Sequence, residues 1–266
     1  MAQSIRYLVL SFLLITFMAF PNLRACGPEW ISADEIGYGF YSQSLLTLSV
    51  GKEEIPLNIQ FTPQSVTIQR LFGSSWQSPL LESHVRAESA ILTVYAPDGS
   101  EQTFTPSAKS RDIYTNPNGW AGEKKDSSFI IYSSCGWRIT YRDNRITELK
   151  TKDSQLLKWN YADNRLVSVT NGKNTLCQLI YNADGQLQAV SANDEHLSFA
   201  YQKQPKIDKK QFLLSAVSWK NGTQEHYEYL LKASGHAALR ITTRSKLILG
   251  REWDMKTNSL VSTEPL

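Results

Sequence analysis

The sequence predicts an all-β protein: an antiparallel sheet of consecutive β-hairpin repeats, a ribbon or partial shell, preceded by an N-terminal β region. Three observations carry that expectation. Tyr141, Tyr161, Tyr181 and Tyr201 recur every 20 residues, and Ile139, Trp159, Leu179 and Phe199, two residues earlier, keep the same interval. Aromatic content is 11%, and Thr, Tyr, Val and Ile are plentiful, as pleated surfaces prefer. No window carries a helical apolar stripe, because Gly, Pro and β-branched residues break every long run.

Each unit reads as one hairpin. The aromatic or aliphatic residue and the Tyr two positions on share a strand face. A turn follows, "RDNR" (142–145), "ADNR" (162–165) or "NADGQ" (182–186), in which Asp and Asn tolerate left-handed backbone. The second strand holds an apolar pair three apart: Ile146 and Leu149, Leu166 and Val169, Leu187 and Val190. Polar runs such as "KTKDSQ" (150–155) then reverse the chain. A lone hairpin cannot bury its apolar face, so neighbours must pair. In the fourth unit "QKQPKIDKK" (202–210) replaces the turn as a solvated insertion, and the pattern resumes at Leu214 and Val217. "HYEYLLKASGHAAL" (226–239) and "REWDMKTNSLVS" (251–262) read as worn copies.

The expected division is a signal peptide over 1–25, an N-terminal β region over 26–130, the repeat sheet over 131–260 and a tail over 261–266. Arg6 opens the first segment and Tyr7 to Phe20 runs without charge. That run is shorter than the ~20 residues of a membrane span. "LRAC" (23–26) fits lipidation at Cys26 except for Arg24; cleavage after Ala25 without a lipid is the alternative. Export implies a periplasmic, cell-surface or extracellular protein, touching a membrane only through a lipid on Cys26.

Residues 1–25 contain Arg6 and Arg24 and no acid, so the rest of the chain holds 26 basic residues against 25 acidic ones. That balance disfavours nucleic acid as a partner. Cys26, Cys135 and Cys177 show no metal-ligand spacing, and the four histidines are scattered, so neither metal nor cofactor is expected. Cys135 and Cys177 lie two repeats apart, roughly 19 Å at about 4.8 Å per strand. A disulfide needs Cα atoms within about 7 Å, so both are expected to be reduced and at least partly buried.

For catalysis the candidates are few. "FGSSWQS" lacks a nucleophile elbow, and the glycines sit in turns rather than before helices. Asp143, Asp163 and Asp184 line one sheet edge, where turn geometry alone accounts for them, whereas a glycosidase needs two carboxylates across a cleft. The repeat tyrosines read as core ladders. Trp120 in "NPNGW" and Trp219 in "SWKNG" stand beside turns and are the candidate ligand contacts, through stacking on a sugar ring.

Tyr161, Arg165, Leu166 and Val169, with Tyr141, Arg145 and Ile146 and then Tyr181, Gly185, Leu187 and Val190, resemble the YD repeat of the Rhs and teneurin families. "GKEEIPLNIQFTP", "LFGSSWQSPLLES" and "VYAPDGSEQTF" resemble the segment that precedes such repeats. The first two turns lack the family's Gly, and Gln186 replaces its Arg. The resemblance implies a ribbon-like antiparallel sheet, spiralling into a shell in longer members, and association with cell surfaces and carbohydrate. No self-cleaving core motif or toxin domain follows the repeats, so the chain looks like a toxin-less short form or a fragment. The expected function is a non-catalytic surface or secreted scaffold that binds glycan or another Rhs-type protein. The alternatives are a component or remnant of a toxin-delivery shell and, third, a glycan-acting hydrolase.

Overall fold

The computed structural model describes residues 41–61, 70–108, 110–134, 136–172, 174–203, 212–231, 236–243, 246–254 and 259–262. The signal segment, Cys26, Cys135 and most of the 202–210 insertion lie outside the described residues. The rest is all-β and antiparallel, apart from one helical turn. Strands β1 (Tyr41–Val50), β2 (Glu53–Phe61) and β3 (Trp76–Gln77) form a small sheet. The turn α1 (Pro79–Glu82) follows. Ser78 caps it by accepting from Leu81 N, Pro79 stands where no donor is needed, and Glu82 reaches back to Ser78 N at 2.7 Å.

From there every strand pairs with the next. The first eight are β4 (His84–Glu88), β5 (Ile91–Tyr95), β6 (Glu101–Ser107), β7 (Ser110–Thr115), β8 (Ala121–Lys125), β9 (Ser128–Tyr132), β10 (Arg138–Arg142) and β11 (Arg145–Lys150). They curl into a barrel that closes where β11 meets β4. Arg145 pairs with His84, Val85 N donates to Asn144 O at 3.1 Å, and Ile146 N donates to Ser83 O at 3.2 Å. Hydrogen bonding runs through β8, β9 and β10 without a break at residue 130. The sheet continues past the barrel as β12 (Leu156–Ala162), β13 (Arg165–Asn171), β14 (Asn174–Tyr181), β15 (Leu187–Ala192) and β16 (Glu195–Lys203). β17 (Phe212–Trp219), β18 (Gln224–Leu231), β19 (His236–Thr243), β20 (Lys246–Asp254) and β21 (Ser259–Ser262) complete it.

Two turn chemistries recur along this meander. Asp143 and Asn144, and again Asp163 and Asn164, all have φ between 48° and 64°. Positive φ at both central residues is the type I′ turn, whose twist matches the flanking strands. Elsewhere a five-residue turn recurs, at Ala96–Ser100, Asn116–Trp120, Ser133–Trp137, Thr151–Gln155, Asn182–Gln186 and Trp219–Thr223. In each, the fourth residue donates to the first carbonyl and the first N–H donates to the fifth. Its fourth position has positive φ, taken by glycine in all but one case, where it is Ser154. Asn164→Val should therefore lower the unfolding free energy by about 1–2 kcal/mol, whereas Asn164→Gly should cost nothing, as read from urea midpoints.

A β-bulge explains the apolar pairs three apart. Tyr141 faces Ile146 and Ile139 faces Leu149, although one residue lies between Ile139 and Tyr141 and two lie between Ile146 and Leu149. The same register shift recurs at Tyr161, Tyr181 and Tyr201, and again at Trp253. The extra residue puts positions i and i+3 on one face, and all four pairs from Ile146/Leu149 to Leu214/Val217 are buried.

The small sheet and the segment through α1 cover the inner face of the repeats. Trp159 Nε1 donates to Leu80 O at 3.2 Å, and Trp219 Nε1 to Leu45 O at 3.2 Å. Phe72 meets Phe199 edge-on at 5.2 Å, and Ser74 N donates to Phe212 O at 2.8 Å. Trp76 is fully buried, contacts Tyr41, Phe61 and Tyr227, and donates Nε1 to Tyr229 Oη at 2.6 Å.

Candidate functional site

The repeat positions build a clasp between hairpins. Tyr161 Oη donates to Ile146 O at 3.0 Å, Tyr181 to Leu166 O at 2.7 Å, Tyr201 to Leu187 O at 2.8 Å and Tyr229 to Leu214 O at 2.7 Å. Each phenol thus pins its own hairpin to the first apolar residue of the preceding one. Tyr141, in the hairpin that closes the barrel, bonds Ser83 Oγ at 2.9 Å instead. Turn arginines add a second contact: Arg145 lies over the Tyr161 ring at 5.8 Å and Arg165 over Tyr181 at 5.7 Å. Arg145 Nη1 also donates to Asn164 O at 2.9 Å. Arg165 crosses the next turn so closely that a Cβ on Gly185 would sit 2.5 Å from its Nη2. Gln186 replaces the third arginine, so Tyr201 has no such cover among the described residues.

Burial sets the state of these phenols. It pushes Tyr161 up to about 12, with Arg145 pulling the other way, and it raises Tyr181 and Tyr201 further. All remain neutral donors near neutral pH.

A cleft of about 500 Å³ opens where α1 meets these hairpin tips, lined by Arg70, Arg145, Arg165, Glu82, Gln186 and the edges of the repeat tyrosines. Burial raises the Glu82 carboxyl, opposed by the Leu71 and Ser78 N–H groups that its oxygens accept and by Arg70. His84, at the same mouth, stacks on Tyr95 with ring centres 4.5 Å apart. Burial lowers its basicity more than its bond to the Glu82 carbonyl raises it.

Of the two tryptophans expected to contact ligand, Trp120 is too buried to stack on a sugar ring. Trp120 is only 7% exposed, as the last residue of a five-residue turn that directs it into the barrel core. Trp219 is half-buried, packs on the core and gives its N–H to Leu45. Asp143, Asp163 and Asp184 are exposed at hairpin tips on one edge. Cys177 is buried and free, its thiol pushed up to about 12 by burial. Sequence reasoning missed the cleft, because Arg70 and Glu82 enter it from outside the repeats. The one available signal was Arg145 and Arg165 at the repeat interval.

No family model and no curated protein matches the chain. Among solved structures it is similar to the N-terminal domain of the effector protein SpvB from Salmonella typhimurium strain LT2. The identity is 11% and the TM-score 0.32, over 80% of this chain and 99% of that one.

Proposed function

We propose that the chain is an exported YD-type repeat protein, a non-catalytic surface or secreted scaffold that binds glycan or another Rhs-type protein. The observation that carries this reading is the clasp: four phenols at repeat positions each donate to the hairpin before. A side chain that bonds the main chain in copy after copy is serving the stack, and a stack of self-similar units gives an extended binding surface. The turn acids support the same view, since Asp143 and Asp163 occupy positive-φ positions that Asp tolerates.

Membership of a toxin-delivery shell is the second reading. Phe72, Trp76 and Leu80, from the chain's own N-terminal third, fill the inner face of the repeats, which favours a scaffold over a container. The test is a glycan array run on the mature protein beside a reducing-end assay on the same glycans. Retention of a glycan with no new reducing ends is the expected result. Release of reducing ends would make the chain a hydrolase and end the scaffold reading.

A further inference from the structure

The cleft between α1 and the hairpin tips offers many more donors than acceptors. Arg145 and Arg165 have no carboxylate partner among the described residues, and Arg165 makes no hydrogen bond there at all. Each guanidinium lies over a tyrosine ring, which holds its plane while leaving edge donors for a ligand. The one acid in the lining, Glu82, gives both oxygens to main-chain N–H groups. The turn acids Asp163 and Asp184 pair with neither arginine among the described residues.

Gln186 supplies an independent sign. It holds the repeat position of Arg145 and Arg165, its Oε1 accepts from Asn182 Nδ2 at 2.9 Å, and its Nε2 is buried without a protein acceptor. A buried donor left so is costly unless something in the cleft accepts from it. Asn164, also in the lining, keeps its side-chain amide free of protein bonds among the described residues. Planar cationic forks beside neutral amides suit a carboxylate or sulfate carried on a hydroxylated ring. The volume, about 500 Å³, is that of a small-ligand site. The balance of 26 bases to 25 acids beyond residue 25 gives no field for a long polyanion.

We propose that this cleft binds an acidic saccharide, its carboxylate or sulfate held by Arg145 and Arg165 and its hydroxyls by Gln186 and Asn164. The proposal rests on the glycan-binding reading above and narrows it.

Calorimetry on the mature chain tests it with four probes: tetragalacturonate, a chondroitin sulfate tetrasaccharide, neutral cellotetraose and hexaglutamate. One or both acidic saccharides should bind, more weakly as salt rises, and cellotetraose and hexaglutamate should not. Uronate against sulfate in the first two probes separates the two anion sources. Arg145→Gln and Arg165→Gln should each weaken binding about tenfold or more. Because both arginines also cover rings, Gln186→Ala is the companion variant; it should weaken binding severalfold while the loss of its bond from Asn182 lowers the melting temperature by no more than about 4 °C. Acidic-saccharide binding that survives all three substitutions overturns the cleft. Cellotetraose bound as tightly, and unaffected by the variants, overturns the inference while leaving the glycan reading. Hexaglutamate bound without any saccharide, or no binding by any probe, overturns both.

Discussion

Replacing Trp76 with alanine is expected to lower the unfolding free energy by about 3–5 kcal/mol, the usual cost of emptying a large aromatic site. At about 2–4 °C per kcal/mol for a chain of this size, the melting temperature should fall by roughly 10 °C or more. The reason is where this indole lies. It is fully buried between the small N-terminal sheet and the far end of the ribbon. Tyr41 and Phe61 touch it from one side, Tyr227 and Tyr229 from the other. Its N–H also continues a chain of bonds, from Trp76 to Tyr229 and from Tyr229 to Leu214 O. Trp76→Phe keeps a buried aromatic ring but removes the donor and the five-membered ring beside it, so it should cost about 2–3 kcal/mol, less than alanine. Ile113→Ala, at a side chain 46% exposed, should change stability by less than about 0.5 kcal/mol. If Trp76→Ala cost no more than Ile113→Ala, the ribbon would hold its inner face without the N-terminal segment, and the filled-interior argument would fail.

The sequence could reveal the neighbour relations and little beyond them. A period of 20 says which side chains meet in adjacent hairpins, and the buried Ile139, Trp159, Leu179 and Phe199 follow it. The "DN" turns were legible because positive φ at two successive residues leaves few residue types. The three-residue spacing of Leu166 and Val169 was visible but unexplained, since a bulge is a feature of paired strands and Val167 carries no mark of it. The hairpin series starts at His84 rather than near residue 131, and Pro97-Asp98-Gly99 against Pro117-Asn118-Gly119, 20 apart, was its trace. Trp120 misled for a physical reason. A residue beside a turn reads as exposed, yet the fifth position of this turn, whose carbonyl accepts from Asn116 N directly before β8, turns its side chain into the core. The cleft was illegible because its walls meet only through the fold: Trp76 and Tyr229, which set the N-terminal segment in place, are 153 residues apart.

The clasp predicts an alkaline limit to stability. Burial raises the phenols of Tyr141, Tyr181, Tyr201, Tyr227 and Tyr229, and pushes Tyr41 and Tyr161 up to about 12, from an ordinary value near 10. A group whose folded value is raised keeps its proton longer in the native state. Its contribution is therefore whole below pH ~10, where the unfolded chain is also neutral, and is lost as pH rises towards the folded value. A fully buried phenol gives a slope of about 1.4 kcal/mol per pH unit, and a half-buried one less. Tyr141 and Tyr227 are both deeply buried, so they alone should remove about 2 kcal/mol between pH 10 and 11, since the unfolded phenols are only half ionised at pH ~10. Cooperative loss of β circular dichroism between pH 10 and 12, with tyrosinate absorbance rising in the same step, is the expected result. The quadruple variant Tyr161→Phe, Tyr181→Phe, Tyr201→Phe, Tyr229→Phe separates the clasp from burial alone. It loses four donor bonds at about 1 kcal/mol each, near 4 kcal/mol at pH 7, because the sites grip different hairpins and should add. It also loses four titrating groups, so its stability should fall less steeply above pH 10 and the two curves should draw together. Clasp tyrosinate forming near pH 10 in a sheet that stays folded, read as the absorbance difference between the parent and the quadruple variant, would mean that these four phenols are open to solvent and grip nothing.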